Sequence, residues 1–402
     1  MTKIFGTQNL ETAEDVVQQT FIDAISVWKL KGIPDNPSAW LFRVAKNKTI
    51  DIIRRNKHSV QYDFSDNERV LLTSEYTLAS TIDILWNEDA LQDDMLRMMF
   101  ACCNPIISVE NQITLILKTL CGFSTSEIAK AFLTTEETIS KRLFRTKELF
   151  RQHKIKVEFP SDSELKKRTN AVLNSIYLLF NEGYNSSNSE ELIRKDLIAE
   201  AMLLCKLLTE NKITQIPETF ALMALMCFHS SRIDSRLTHD GDIILLNQQD
   251  RSTWNYKLIA EGNEYLNKAA FGTTISTYHL EAAIAFEHCV AAKFEDTNWK
   301  RILELYDWLC KLQPSEVTEL NRIVVILRLK GSAAALAALQ NLNSKNKLDN
   351  YYLYHSLLGV VYTSIKDKTT AKYHFEKAIR LTKSDKEKKL LQDKIGSLMI
   401  EN

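Results

Sequence analysis

Residues 122–145 read Gly-Phe-Ser-Thr-Ser-Glu-Ile-Ala-Lys-Ala-Phe-Leu-Thr-Thr-Glu-Glu-Thr-Ile-Ser-Lys-Arg-Leu-Phe-Arg, and this stretch predicts two helices joined by a tight turn. Ser124 and Glu127 have the spacing of a capping box, in which each side chain accepts a hydrogen bond from the other residue's backbone N–H. A short helix is therefore predicted from Glu127 to Phe132, and a longer one over 136–151. This layout is typical of a helix-turn-helix motif.

The apolar residues of this stretch predict which side of each helix is packed. Ile128 and Ala129 pack the first helix, Leu133 lies in the turn, and Ile139 and Leu143 anchor the second. A recognition helix offers the opposite side to the major groove, where Arg and Lys suit guanine edges and phosphates and Phe suits a thymine methyl. The residues of this helix predicted to contact DNA are Thr138, Ser140, Lys141, Arg142, Phe144 and Arg145.

Positive charge is concentrated in two predicted helices, although Lys+Arg and Asp+Glu balance at 51 each over the whole chain. Six basic residues face one acid within 43–57, and seven face one acid within 141–156. Such helices neutralise several phosphates of a nucleic acid. A solvated helix face explains either run alone equally well, and the helix-turn-helix context is what favours DNA binding for the second.

The composition predicts an all-α protein of several domains. A length of 402 residues suits two to four domains, and only 10 glycines and 6 prolines favour helices with short connections. No apolar run reaches the roughly 20 residues that span a bilayer, and the first residues lack the plan of a signal peptide. The seven cysteines, mostly isolated in apolar stretches, are typical of reduced thiols. We therefore expect a cytoplasmic protein with no membrane partner.

No catalytic constellation is present in the sequence. It has no Gly-rich phosphate loop, no Gly-x-Ser-x-Gly, no His-Glu-x-x-His and no calcium loop. Cys102-Cys103 has no second pair or His cluster to complete a metal site, and the eight histidines are scattered. Asp240-Gly241-Asp242 and Asp250-Arg251 resemble parts of a site, but a turn explains the first equally well and a surface ion pair explains the second. We predict no enzyme activity, no catalytic residues, no metal and no cofactor.

Two more helices are predicted near the N-terminus. The first covers 9–29, with apolar side chains at three- and four-residue spacing. These side chains are Val17, Phe21, Ala24, Ile25 and Trp28. After a break at Gly32–Pro37, the second covers 39–56, and a polar, acidic linker follows over 57–80.

Ala13-Glu-Asp-Val-Val-Gln-Gln-Thr-Phe21 resembles region 2.2 of the group-four, or extracytoplasmic-function, RNA polymerase sigma factors. The resemblance implies that Asp15, Gln18 and Gln19 contact the clamp helices of the polymerase core enzyme. It also implies a further helix ahead of Ile4-Phe5-Gly6, so the predicted region 2 is N-terminally incomplete.

The stretch from Trp40 to Arg55 resembles regions 2.3 and 2.4 of the same family, which open the −10 element and hold its non-template strand. Asn47 matches a melting residue, and Arg54 and Arg55 match positions that hold strand phosphates. The loop 31–37 corresponds to the base-capture loop, and 113–151 resembles region 4, the reader of the −35 element. The residues implied at the −10 element are Trp40, Asn47, Lys48, Arg54 and Arg55.

The rest of the chain resembles the extension of a subgroup with a large C-terminal helical, tetratricopeptide-like domain. The resemblance rests on Phe180-Asn-Glu-Gly-Tyr184, the stretch through Asp250-Arg251-Ser, and Tyr278-His-Leu-Glu-Ala-Ala-Ile. Residues 352–385 carry the clearest repeat, with small and aromatic residues at tetratricopeptide offsets. The resemblance implies that the extension modulates activity. For this chain two hypotheses stay open, an internal brake that packs on the sigma domains and a platform for an unknown protein or small ligand in the concave face.

The sequence therefore predicts a sigma factor whose partners are RNA polymerase core enzyme and promoter DNA. A helix-turn-helix regulator acting without polymerase and a helical-repeat scaffold are the alternatives. The predicted domains are region 2 (1–58), a linker (59–91), the helix-turn-helix region 4 (92–156), a helical extension domain (165–272) and a tetratricopeptide-like helical domain (275–402).

Overall fold

Helices make up the regular structure of this protein. In the computed structural model, the described residues are 10–55, 88–153, 160–186, 191–342 and 348–400. Within those ranges there are sixteen α-helices and no β-strand, and the predicted all-α fold is confirmed. The helices are α1 (Leu10–Lys31), α2 (Pro37–Arg55), α3 (Glu88–Cys102), α4 (Val109–Thr119), α5 (Thr125–Ala131), α6 (Glu136–Gln152), α7 (Asp162–Tyr184), α8 (Lys195–Glu210), α9 (Pro217–Ser230), α10 (Tyr256–Ala269), α11 (Thr277–Val290), α12 (Trp299–Leu312), α13 (Glu316–Gln340), α14 (Tyr352–Ser364), α15 (Lys368–Leu381) and α16 (Asp385–Ile400).

A sharp turn separates α1 from α2, and its residues have the conformations that such a turn requires. Gly32 follows α1 with a φ of 81°, in the left-handed region that glycine enters without steric cost. The Asn36 side-chain oxygen accepts a hydrogen bond from the backbone N–H of Ala39 at 2.9 Å. Pro37 is the first residue of α2, where a helix does not need a backbone donor. The predicted break at Gly32–Pro37 is confirmed.

The contacts within the chain define two compact units, Met1–Ser175 and Ile176–Asn402. The first unit holds α1 to α6 and the start of α7. Helices α3, α4 and α6 supply the largest fully buried side chains of this unit, together with one from the turn before α5. They are Met99, Phe100, Leu115, Ile116, Phe123 and Phe150. The domain boundaries predicted from the sequence stay a prediction.

Helix α9 lies at the centre of the second unit. Every residue from Thr219 to Phe228 is buried, and α9 packs against α8, α10 and α11. A helix that is apolar on all sides is stable in water only when neighbours cover it completely. The surrounding helices are therefore arranged by the need to enclose α9.

Residues 231–255 contain only three short 3₁₀ helices and the isolated bridge between Leu237 and Ile243. Arg251, predicted to form a surface ion pair, is instead 8% exposed. Its guanidinium donates to the carbonyl oxygens of His288 and Ala291 at 2.6 and 2.5 Å. Both carbonyls lie at the C-terminal end of α11. The last four C=O groups of a helix have no hydrogen-bond partner within that helix. The prediction of a surface ion pair for Arg251 was wrong. The sequence does not show that the carbonyl groups at the end of α11 need a hydrogen-bond donor from another part of the chain.

Helix α13 bends at Gly331, whose φ of 80° and ψ of 177° are not helical. Among the described helices, α13 is long and apolar enough to cross a membrane by length and composition. Its buried residues are divided between two core clusters, one shared with α11 and α12 and one with α14. The buried members on α13 are Leu320, Ile323, Val325, Ile326, Ala335 and Leu339. The other residues are less covered, since 28% of the stretch that is long enough to cross a membrane is buried.

Helices α14 and α15 pack against each other in the C-terminal part of the chain. Ala371, Phe375 and Ala378 of α15 are buried, and the Phe375 ring lies against the backbone of Gly359 in α14. The sequence pattern predicted this close approach, because small residues let two helix backbones come near each other while an aromatic ring fills the groove.

Replacing Gly359 by alanine is expected to destabilise this pair. The added carbon would lie 2.5 Å from the Phe375 ring, and such overpacking costs about 1–3 kcal/mol. Urea unfolding followed by circular dichroism measures the loss as a lower midpoint.

Gly396→Ala is the matched control. Gly396 is exposed on α16 and nothing lies within 4 Å of its added carbon, so alanine should stabilise by about 0.5–1 kcal/mol through helix propensity. Equal effects of the two substitutions would contradict the packing of Gly359 on Phe375.

Candidate polymerase-binding and DNA-binding surfaces

The three residues predicted to contact polymerase lie on the exposed side of α1. Asp15, Gln18 and Gln19 are exposed, and the residues that pack α1 lie on its opposite side. These packed residues are Ala13, Val16, Thr20 and Ala24. Gln18 and Gln19 lie three and four positions after Asp15, and the packed residues are likewise three or four positions apart. This spacing keeps each set on one side of a helix. Asp15, Gln18 and Gln19 therefore form one polar surface.

Large apolar side chains also reach the surface of α1. Phe21 is 53% exposed and Ile25 is 70% exposed, although the sequence pattern placed both among the packed positions of this helix. Val17 and Ile22 are exposed beside them. Exposed apolar area of this kind, bordered by polar residues, is typical of a protein-binding surface.

The exposed side of α2 carries Arg43, Asn47 and Asp51, which follow one another at four-residue spacing. Trp40 is half-buried, and its ring meets that of Trp28 edge to face at a centroid distance of 5.5 Å. The structure therefore places Asn47 on the surface and Trp40 in the contact between α1 and α2. The side chains of Arg54 and Arg55, at the end of α2, lie outside the described residues.

Lys48 is bound to a carboxylate that the sequence analysis did not identify. Its ammonium lies 2.8 Å from Asp23 of α1. Lys48 and Gln19 both donate to this carboxylate, and these hydrogen bonds lower the pKa of Asp23. No local pattern in the sequence of α2 shows this pair, because Asp23 lies on α1. A strand phosphate would have to compete with Asp23 for Lys48.

The start of α5 and the turn between α5 and α6 both have the predicted local geometry. Glu127 N–H donates to the Ser124 hydroxyl at 3.2 Å, and Ser124 N–H donates to the Glu127 carboxylate at 2.6 Å, which completes the capping box. Leu133 lies in the turn with a φ of 49°. Thr135 begins α6 by accepting from the N–H of Thr138. The four predicted anchors are all buried: Ile128, Ala129, Ile139 and Leu143.

The exposed side of α6 brings together four of the six predicted DNA contacts. Ser140, Lys141 and Arg145 are exposed, and Phe144 is 73% exposed. Lys141 makes an ion pair of 2.6 Å with Glu137 one turn earlier on the same side. These four side chains therefore form one exposed face of α6.

The other two predicted contacts lie differently. Thr138 is half-buried and its hydroxyl is 2.9 Å from that of Thr135. Arg142 is half-buried with its guanidinium 5.6 Å from the centre of the Phe132 ring. Thr138 therefore takes part in the start of α6, and Arg142 packs α6 on the end of α5.

Two ion pairs join α6 to α1. Lys147 lies 2.7 Å from Glu14, and Arg151 lies 3.1 Å from Glu11. The pair of Lys147 and Glu14 is the better shielded of the two, with 22% and 33% of the side chains exposed. The sequence indicates this contact between α1 and α6 only through acidic residues at the start of α1 and basic residues at the end of α6. Some of the positive charge of α6 is therefore neutralised within the chain.

The described residues contain no group of three or more His, Cys, Asp or Glu that could hold a metal ion. All seven cysteines are free thiols. Cys102 and Cys103 are buried, and burial raises the pKa of Cys102 to about 12. The Cys102 thiol therefore stays protonated at neutral pH and behaves as a small apolar side chain.

The N-terminal part of the chain matches a known family. Residues 2–59 match the family model for sigma-70 region 2. This match supports a sigma factor, a non-enzymatic transcription protein that has RNA polymerase core and promoter DNA as partners.

The remaining comparisons concern the whole chain and its extension. Residues 168–270 match a family of unknown function, DUF6596. An uncharacterized protein of Rhizobium meliloti (strain 1021) is 34% identical over 394 residues, which cover 98% of this chain and 92% of that protein. The chain belongs to the same family as this protein. No solved structure matches it.

Reversing the charge of Lys147 tests the contact between α1 and α6. Lys147→Glu places two carboxylates together and should lower the stability of the first unit, while adding Glu14→Lys should restore it. For a partly exposed pair we expect a coupling free energy of about 0.5–1 kcal/mol in a double-mutant cycle. Urea unfolding of the four proteins gives this value.

The exposed pair of Lys141 and Glu137 on the same helix is the control, with an expected coupling of about 0.2–0.5 kcal/mol. Additive effects at Lys147 and Glu14 would show that the two helices do not depend on this ion pair.

Proposed function

We propose that this chain is a sigma factor of the extracytoplasmic-function group, which directs RNA polymerase core to promoters with −10 and −35 elements. The sigma-70 region 2 match at residues 2–59 carries the proposal. The exposed polar surface of Asp15, Gln18 and Gln19, with Phe21 and Ile25 beside it, supports docking on the polymerase through α1. Phosphodiester chemistry belongs to the polymerase, and such a factor works in the cytoplasm.

The −10 element is bound through α2 in this proposal. Asn47 acts in strand opening, Trp40 forms part of the surface, and Lys48, Arg54 and Arg55 bind strand phosphates. The exposed position of Asn47 supports its role. Because Lys48 is already paired with Asp23, its contribution to phosphate binding should be weaker than that of an unpaired lysine.

The −35 element is read by α6. The four side chains exposed together, Ser140, Lys141, Phe144 and Arg145, support a face that enters the major groove. Thr138 and Arg142 take the supporting role of holding α6 in place, since both contact the preceding turn or helix. A regulator acting without polymerase would need this helix alone, and the region 2 match favours the sigma factor over it.

The helical extension regulates activity in this proposal, and its last part is tetratricopeptide-like. Close packing of Phe375 on Gly359 supports such a helix pair. Two regulatory roles stay open, an internal brake on the sigma domains and a platform for a protein or small ligand.

Reconstituted transcription tests the function. The chain, core polymerase from the same bacterium and a genomic promoter library should yield discrete transcripts. Replacing Asp15 and Gln18 by alanine should abolish them by removing polymerase contacts, while Glu264→Ala, an exposed change in the extension, should not. Failure to bind core or to start any transcript would contradict the sigma assignment.

The same assay with residues 165–402 removed decides the role of the extension. More transcription than with the full chain indicates a brake, whereas loss of transcription indicates that the extension is required. Unchanged output would contradict both forms of regulation.

Arg145→Ala should weaken binding to promoters with the matched −35 element by about 1–3 kcal/mol, because a good base contact is lost. The loss should be smaller on promoters with a mismatched −35 element. Arg301→Ala removes an exposed arginine of the extension and should leave both affinities unchanged. Equal losses on the two promoters would make Arg145 a phosphate contact and not a base reader.

A further inference from the structure

Glu281 of α11 is a recessed carboxylate without a cationic partner. Its bond to the protein is a hydrogen bond of 2.8 Å donated by the hydroxyl of Tyr177 in α7. No lysine, arginine or histidine of the described residues lies within 4.0 Å of its carboxylate, and no cation contributes to its pKa. Withdrawal of Glu281 from water raises its pKa to about 7. An unpaired carboxylate in such a place is costly.

Three tyrosines lie near this carboxylate, and Tyr177 is the one hydrogen-bonded to it. The rings of Tyr177 and Tyr278 lie 5.6 Å apart at 54° to each other. Tyr306 of α12 is within electrostatic reach, because the charge of Glu281 contributes to raising its pKa. We call Tyr177, Tyr278, Glu281 and Tyr306 the tyrosine recess. Its four side chains are half-buried, so solvent still reaches them.

The chemistry of the tyrosine recess selects for a positive ligand. The faces of aromatic rings are electron-rich and attract ammonium ions, more strongly where water is excluded. The carboxylate adds a full negative charge to the same place. The hydroxyls of Tyr278 and Tyr306 have no hydrogen-bond partner among the described residues, so they are available to a bound ligand.

We propose that the tyrosine recess binds an organic ammonium ion, held by the carboxylate of Glu281 and by the rings of Tyr177, Tyr278 and Tyr306. This site goes beyond promoter recognition and does not depend on it, since binding is measured without polymerase or DNA. It gives the extension a ligand of defined charge and shape.

Calorimetric titration of the full chain with choline is the direct test. Choline should bind, and its uncharged carbon isostere, 3,3-dimethyl-1-butanol, should bind at least about tenfold more weakly, because it lacks the charge that rings and carboxylate recognise. Equal affinity of the two probes, or no binding of choline, would overturn the proposal.

The source of the ammonium group is decided by a second probe. N-acetyl-lysine amide presents the ammonium of a protein side chain, whereas choline presents that of a free small ion. Tighter binding of choline supports the small ion proposed here. Tighter binding of the lysine derivative would overturn it in favour of a protein partner.

The affinity for choline should depend on pH through Glu281 alone. The other groups that face it are Tyr177 of α7, Tyr278 of α11 and Tyr306 of α12, and burial raises the pKa of each above its ordinary value. Cys205 near Tyr278 and Cys310 near Tyr306 also have raised pKa values. Only Glu281 loses its charge near neutral pH, so the affinity should fall about tenfold from about pH 8 to about pH 6. A flat profile would contradict the role of Glu281.

Glu281→Gln removes the charge while keeping the shape. We expect at least about a tenfold loss of choline affinity and loss of the pH dependence. Glu264→Gln, on the exposed side of α10, is the matched control and should change neither. A melting curve by circular dichroism shows whether the Glu281 variant is folded. If that variant does not fold, the pH profile of the unaltered chain decides the question by itself.

Discussion

Burial of apolar helix faces against other helices is the interaction on which every described part of this chain depends. With no strand in the described ranges, no sheet ladder supplies a second source of order, so each helix is positioned by what it covers. Helix α9 shows this most clearly, since ten consecutive residues are buried and its neighbours must enclose it. The same requirement sets the limits of the surfaces, because the side chains of α1 and α6 that no other helix covers stay exposed.

The sequence predicted the helices well where local chemistry decides them. The capping box at Ser124 and Glu127, the break at Gly32–Pro37 and the start of α6 at Glu136 are all present, because each depends on residues within one turn of the helix. The predicted anchors Ile139 and Leu143 are buried for the same reason, since helical spacing fixes which residues share a side.

The spacing of residues along one helix does not predict which side chains of other helices they contact. Phe21 and Ile25 match an apolar stripe, but the structure covers α1 along Ala13 and Val16 and leaves the larger side chains exposed. Arg142 belongs by spacing to the DNA-contacting helix, and only the position of Phe132 shows that it packs inward. Lys48 likewise meets Asp23 across two helices. In each case the deciding neighbour is on another element, and no local pattern names it.

The irregular stretch 231–255 has a consequence for how the second unit opens. Two of its three arginines are bound to helix ends. Arg236 donates to the carbonyl of Tyr184 at the end of α7, and Arg251 donates to those of His288 and Ala291 at the end of α11. Local opening of this stretch would therefore fray two helices at once. The free energy of this opening is then close to the free energy of unfolding a larger cooperative unit. Slow amide exchange in a segment almost without regular secondary structure is the signature of such coupling.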